Sequence, residues 1–176
     1  MKKDFPLSKV SGLLQSGPVL LVSTAAGGRN NVMAMSWHTM LDFDPPLVGC
    51  VIAGDSLTAE NIRKTKQCAL NVPTLAIAAE TVACGSASGR KKDKFASTGL
   101  TPVKASEVTA PLVKECWANL ECVLADASLA KKYDMFVFKV VKAHVDVSVK
   151  RPKTLHHRGG SEFMVAGPAI KVGPAK

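Results

Sequence analysis

The sequence predicts a mainly β protein, a closed or partly closed antiparallel barrel with a few short helices. Three observations carry this. Short apolar runs rich in Val, Leu and Ile recur between turn signals from residue 18 to residue 73. Two long segments suited to antiparallel strands, 116–127 and 135–149, fill the second half. The helical stretches between strands are short and do not alternate regularly with them, which argues against a parallel α/β sheet.

The first run, PVLLVST at 18–24, is bounded by SG before and AAGGRNN after, as a buried strand ending in a tight turn should be. From Val32 to Trp37 the chain alternates, with Met33, Met35 and Trp37 on one face and Val32, Ala34 and Ser36 on the other. The two segments make a hairpin with one bulky face and one small face. Pro45 and Pro46 interrupt it, since neither ring can donate to a ladder, and LVGCVIA at 47–53 resumes as a third strand. SLTAENIRKTK at 56–66 reads as a short helix with Ser56 or Thr58 as its N-cap. QCALNVP at 67–73 returns as a strand, and LAIAAETVA at 75–83 is a helix stopped near Gly85. CGSASGRKKDKFASTGL, rich in glycine and serine and then basic, is a loop running into a short helix around 93–97.

The segments 116–127 and 135–149 are joined across SLAKKYD. In the second, Phe136, Phe138 and Val140 keep one phase, whereas Val141, Ala143, Val145 and Val147 keep the other. A phase change of one residue at Val140 and Val141 predicts a β-bulge, which bends a strand. The tail from Lys150 onward, rich in Gly, Pro and basic residues, is expected to wrap an edge.

A length of 176 residues suits one domain, 1–176, and 47% hydrophobic with 21% charged residues is ordinary globular usage. The N-terminal stretch MKKDFPLSKVSGLLQSG lacks the pattern of a targeting segment, and no apolar run is long enough to span a bilayer, so a cytoplasmic location is expected. The five cysteines are widely spaced with no C-x-x-C pair, which favours small buried apolar residues over a disulfide framework or zinc site. A net charge of +9 suits nucleic acid, an anionic surface, a phosphate-bearing ligand or an acidic protein partner. With aromatic residues at only 5%, and no strand showing surface rings on which bases could stack, a nucleic-acid-binding barrel is the weaker alternative.

No G-x-S-x-G elbow, G-x-G-x-x-G or phosphate-binding P-loop is present, and His38, His144, His156 and His157 have no local nucleophile or metal-ligand pattern. What remains suits a flat ligand with an anionic tail. Thr58 at a helix N-terminus, with Asn61 one turn on, fits either a phosphate contact or an ordinary cap. Lys94 could compensate an anion or be a solvated lysine, and Trp37 with the two methionines could line an aromatic plane or be core.

The ordered stretches GPVLLVST, NNVMAMSW, DPPLVGCVIAG, SLTAENIRKTKQCALNVP, CGSASGRKKDKF, GLTPVKA, APLVKECWANLECVL and HHRGGSEF together resemble the flavin reductase-like family of FMN-binding split-barrel proteins, which includes flavoredoxin. The resemblance covers nearly the whole chain and implies an antiparallel split β-barrel, a homodimer, and one FMN per subunit near the dimer interface. It implies that Asn31, Met33, Ala34, Met35, Ser36 and Trp37 flank the flavin and that the backbone of Val51, Ile52 and Ala53 bonds its pyrimidine edge. Thr58 and Asn61, with the loop from Ser88 to Lys94, would hold the phosphate. Tyr133 stands where relatives often have a histidine, and Phe163 matches an aromatic packed near the flavin.

Such a protein is an FMN-binding oxidoreductase whose chemistry lies on the cofactor, with no catalytic side chain and no metal. Its electrons would come from NADH, NADPH or a redox protein, an acidic one by charge. The alternative within the family is a non-enzymatic flavin electron carrier. Neither nucleic acid nor a membrane is an expected partner. His38 follows Trp37 on a strand and so should face the other way, as a surface or interface residue.

Overall fold

The computed structural model describes residues 17–170 and 173. The N-terminal stretch read for a targeting segment therefore lies outside the described residues, except for Gly17, as does most of the last six-residue stretch of the basic tail. Seven strands form one antiparallel sheet: β1 (Leu20–Ala26), β2 (Arg29–Met35), β3 (His38–Phe43), β4 (Pro46–Val51), β5 (Gln67–Val72), β8 (Ala118–Asp126) and β9 (Met135–Val145). Their order across the sheet is β2-β1-β5-β8-β9-β4-β3. Two small ribbons accompany it, β6 (Pro102–Val103) with β7 (Leu112–Val113), and β10 (Leu155–Gly159) with β11 (Glu162–Val165).

The sheet order itself requires curvature. Its two edge strands, β2 and β3, are consecutive in the chain and joined only by Ser36 and Trp37. Three Cα–Cα steps reach at most about 11 Å, so the edges must come together and the sheet curls into an incompletely closed barrel. Leu20, Val22, Met35, Val48, Cys50, Cys68, Leu70, Cys122, Phe136 and Phe138 point into it and form one buried cluster. Helix α1 (Leu57–Thr65) adds Ala59 and Ile62 to this core. The other face of β1 and β2 is also covered: Leu21 and Val32 pack with Ile77, Cys84, Phe95 and Leu100. These come from a 3₁₀ turn (Leu75–Ile77), α2 (Ala78–Ser86) and α3 (Lys94–Thr98), with the last lying just beyond α3. All five cysteines are buried, in keeping with their expected role as small apolar side chains.

Local chemistry explains the boundaries. The β1–β2 hairpin turns through Gly27 and Gly28, whose φ angles of 57° and 75° give the primed turn that matches strand twist. Ser56 caps α1 by accepting the Ala59 N–H at 3.1 Å, so Thr58 lies inside the first turn. Asp93 caps α3 in the same way. The bulge expected in β9 is present: Glu121 faces Lys142 and Cys122 faces Val140, leaving Val141 as the extra residue. The chain between β8 and β9 forms the short helix α4 (Ala130–Tyr133).

The expected second strand needs correction. β2 stops at Met35, opposite Leu20 where β1 begins, because no partner exists beyond that point. Residues 38–43 form a separate strand, β3, which the sequence reading left out of the sheet. Five of its six positions are exposed, so it has no buried face to impose an apolar period. The tail packs on the barrel rather than running free. Val19 donates to the Leu155 carbonyl at 2.7 Å and Leu75 to that of Lys153 at 2.8 Å. No helix among the described residues is long and apolar enough to cross a membrane.

Candidate functional site

The outer rim of β2 borders two hollows. The first, about 300 Å³, lies where the β1–β2 hairpin meets the start of α1 and is lined by Arg29, Asn31, Leu57, Asn61 and Arg90. Burial orders its polar groups. Asn31 is 4% exposed and its amide donates to Thr58 Oγ1 at 2.9 Å, while Asn61 donates to Thr24 Oγ1 at 3.0 Å. The carboxamide oxygen of Asn31, in contrast, is buried with no hydrogen-bond partner. A buried acceptor left so is costly, and it fits a ligand donor.

The loop at residues 88–92 covers this hollow because of two arginines and one glycine. Arg29 Nη2 donates to the Gly89 carbonyl at 2.8 Å. Arg90 binds Glu60 and the Asp55 carbonyl, tying the loop to α1 and its approach. A Cβ on Gly89 would sit 2.0 Å from Asn31 Oδ1, so only glycine lets the loop lie this close. Two guanidinium groups and the positive end of the α1 dipole therefore converge on one small hollow, an arrangement that favours an anion. The Lys64 and Arg90 side chains at Glu60 hold that carboxyl down at about 2, so it stays ionised and Arg90 stays anchored.

The second hollow, about 270 Å³, lies at the other end of β2 among Ala34, Ser36, Gly85, Ser86, His157 and Phe163. Small residues shape it: a Cβ on Gly85 would come within 3.3 Å of that of Ala34. Across it, the Phe163 ring tilts against His157 with centroids 5.1 Å apart, and His157 Nε2 lies 3.1 Å from the Gly160 carbonyl oxygen. The chain running from Gly85 to Arg90 borders both hollows, so they are neighbours along β2.

Of the residues expected from sequence, Asn31, Thr58 and Asn61 come together at the first hollow, and Ala34, Met35, Ser36 and Phe163 at the second. Others stand elsewhere. The bulky face of β2 points into the barrel: Met35 belongs to the core and Met33 packs against it, so Ala34 and Ser36 are the side chains that open outward. Met33 and Met35 therefore turn toward the barrel interior, with Met35 also bordering the second hollow. Trp37 is half exposed beyond the end of β2, with its carbonyl accepting the Val51 N–H at 2.9 Å. Ile52 is in the core and its N–H donates to the Asp134 carbonyl at 2.9 Å, so the N–H groups of Val51 and Ile52 are both used within the chain. Tyr133 is exposed and lines neither hollow.

Ser88 is exposed and shapes its own loop, its carbonyl accepting the N–H groups of Lys91 and Lys92 and its hydroxyl that of Arg90. His38 is half-buried, with Nε2 2.7 Å from the Pro18 carbonyl oxygen. Lys94 departs furthest from expectation. It is 6% exposed and donates to the Cys84 carbonyl at 2.8 Å, closing the last turn of α2 instead of reaching the first hollow. Burial pushes its pKa down, with the Cys84 thiol opposing in part. Lys94→Ala is accordingly expected to cost about 1–3 kcal/mol by stranding that carbonyl, as urea unfolding would show. An unchanged midpoint would mean that the bond carries no weight.

Sequence reasoning named the loop from Ser88 to Lys94 as a whole, without singling out Gly89 or Arg90, and did not point to Arg29 or to His157 as a site residue. Arg90 stood in a basic run and Arg29 in a turn, but no local pattern joins two residues so far apart in the chain.

The Flavin reductase like domain family matches residues 14–163, and the chain belongs to that family. Protein YddH of Escherichia coli (strain K12), itself uncharacterized, is 33% identical over 181 residues, covering 95% of this chain and 96% of that protein. Among solved structures, the FMN-binding domain of a flavin reductases-like enzyme from Shewanella baltica OS155 superposes with a TM-score of 0.82 at 28% identity, covering 96% of this chain and 95% of that one. Flavoredoxin of Desulfovibrio vulgaris (Miyazaki F) gives a TM-score of 0.85 at 25% identity, with 98% and 97% covered. The curled seven-stranded sheet is the split barrel of these proteins.

Proposed function

We propose that the chain is an FMN-binding oxidoreductase that passes electrons between NAD(P)H or a redox protein and an acceptor. The observation that carries this reading is the buried, unpartnered Asn31 Oδ1 beneath Gly89, beside Arg29 and Arg90. A ribityl hydroxyl has the donor that Asn31 lacks. Arg29, Arg90 and the start of α1 would hold the phosphate, and Ala34, Ser36 and Phe163 would face the ring system in the neighbouring hollow. Bound FMN would supply hydride or single-electron acceptance; the chain contributes position, polarity and exclusion of water. No side chain is assigned a proton-transfer role.

The reading has two separable parts. Freshly purified protein should be yellow, or become so after FMN is added and the excess removed, and a protein that stays colourless would overturn it. Anaerobic addition of NADH, NADPH or reduced ferredoxin in separate cuvettes then identifies the donor. Bleaching by either nicotinamide nucleotide supports the enzyme, whereas bleaching by ferredoxin alone supports an electron carrier. The +9 charge is compatible with an acidic carrier or with phosphate-bearing NADPH.

We also propose a homodimer. Trp37, Met40, Leu41 and Phe43 are exposed along the edge strand β3 and the link before it, with Phe43 at 87%. An apolar edge of this kind needs cover. Phe43→Asp is expected to weaken dimerisation at least tenfold in sedimentation equilibrium, and a wild-type chain that sediments as a monomer would remove the proposal.

A further inference from the structure

The second hollow holds a residue whose charge can change near neutrality. Among the described residues lining it, His157 alone has a titratable side chain. The hydroxyls of Thr81 and Ser86 are used within the chain, donating to the Ile77 carbonyl at 2.8 Å and the Val82 carbonyl at 2.9 Å. On the surrounding elements, His156, Arg158 and Glu162 share the β10–β11 ribbon, Glu80 and Cys84 lie on α2, and Arg29 lies on β2. None of them lines the hollow. His38, near the start of β1, has its Nε2 at the Pro18 carbonyl.

The fold decides which nitrogen of His157 is available. His157 lies opposite Phe163 across the β10–β11 ribbon, whose register shifts between His157 and Gly159. Gly159 and Gly160, with φ angles of 116° and 56°, then turn the chain and bring the Gly160 carbonyl back to Nε2 at 3.1 Å. A carbonyl only accepts, so Nε2 carries the hydrogen, and Nδ1 is the nitrogen left to gain or lose a proton. The ribbon is itself anchored to the barrel. The Leu155 carbonyl accepts the Val19 N–H at 2.7 Å, the Thr154 carbonyl accepts the Ala166 N–H at 3.0 Å, and the Leu155 side chain is buried. The imidazole is therefore held at the hollow, braced by the Phe163 ring at an angle of 51°.

We infer that His157 sets the balance between oxidised and reduced FMN: its imidazolium, protonated at Nδ1, favours the reduced ring, and its neutral form does not. This rests on the FMN-binding reading above and holds whether a nicotinamide nucleotide or a redox protein supplies the electrons. Reduction adds electron density to the ring system, and a charge placed beside a flavin tunes how readily it accepts electrons. A cation in a half-buried hollow acts on the ring with less screening than one in open water. Histidine changes charge between about pH 5 and 8, so the preference for the reduced ring grows as pH falls through that range and fades as it rises. His157 is thus a positioning charge for the cofactor and moves no proton to it.

Spectroelectrochemical titration of the FMN-loaded full chain at about pH 5.5 and about pH 8.5 tests this on wild type, His157→Gln and His157→Lys. At the lower pH, His157→Gln is expected to reduce the preference for reduced over oxidised FMN at least tenfold, a fall of about 30 mV for a two-electron couple. At the higher pH its preference should match that of wild type. His157→Lys, charged at both, should match wild type at the lower pH and exceed it at the higher. Coupling is reciprocal, so the His157 imidazole resonances of the wild-type chain should titrate at higher pH once the bound FMN is reduced. That measurement decides the matter alone if the variants do not fold or do not retain FMN. Equal preferences in wild type and His157→Gln at both pH values, a gap that does not change with pH, or an imidazole titration indifferent to the flavin's redox state would overturn the proposal while leaving FMN binding intact. A chain that takes up no FMN would refute the FMN reading and this inference together.

Discussion

Glu121→Ala is expected to lower the unfolding free energy by on the order of 3 kcal/mol at neutral pH, the scale for removing one partner of a buried, multiply bonded charge. The carboxylate is fully buried and accepts hydrogen bonds from the Ser106 N–H and hydroxyl, from the N–H groups of Glu107 and Val108, and from His144 Nε2 at 2.7 Å. It therefore fastens the 105–108 loop to β8 beside the β9 bulge, and its loss strands several donors at once. Burial opposes its ionisation, but the bonds from His144, Glu107 and Ser106 outweigh burial and hold the carboxyl at about 2, below its usual 4.5. The sign follows from that depression. The stabilisation is fully present above about pH 4.5 and is lost as pH falls toward 2. Urea unfolding of wild type and variant across this range should show a gap that is wide at pH 7 and closes with acid. A gap independent of pH would place the effect in packing alone.

Much of the barrel was legible because burial imposes a period. β1 is buried at its first five positions and reads as an apolar run. The phase change at Val140 and Val141 announced the bulge because one face of β9 must follow the core while its second half does not. β3 was illegible for the converse reason: an exposed edge strand has no core to set its pattern. The candidate site divides along the same line. Thr58 and Asn61 were readable from a helix start, which is a local feature. The methionines of β2 stayed open between core and ligand wall because alternation separates two faces without saying which one is inside; the closure of the sheet decides that. Lys94 was read as an anion contact or a solvated lysine, whereas its partner in the structure, the Cys84 carbonyl, becomes available only where α2 ends.

Gly89 tests the site most directly. Its Cβ position lies 2.0 Å from Asn31 Oδ1 and 3.1 Å from a methyl of Leu57, so Gly89→Ala must displace the asparagine or lift the loop carrying Arg90. Either movement breaks the convergence of Asn31, Arg29 and Arg90, and FMN affinity is expected to fall at least tenfold, about 1.4 kcal/mol or more. Overpacking should also destabilise the fold by about 1–3 kcal/mol. A double-mutant cycle with Asn31→Ala separates the two effects. Truncating Asn31 makes room for the new methyl, so the double variant should unfold near the Asn31→Ala single variant, with most of the steric cost relieved. FMN affinity should stay low in all three variants, because the acceptor is gone in two of them and displaced in the third. Fluorescence titration of FMN against each chain measures this. A Gly89→Ala chain that binds FMN as wild type does would show that the hollow beneath Gly89 is not where the cofactor is held.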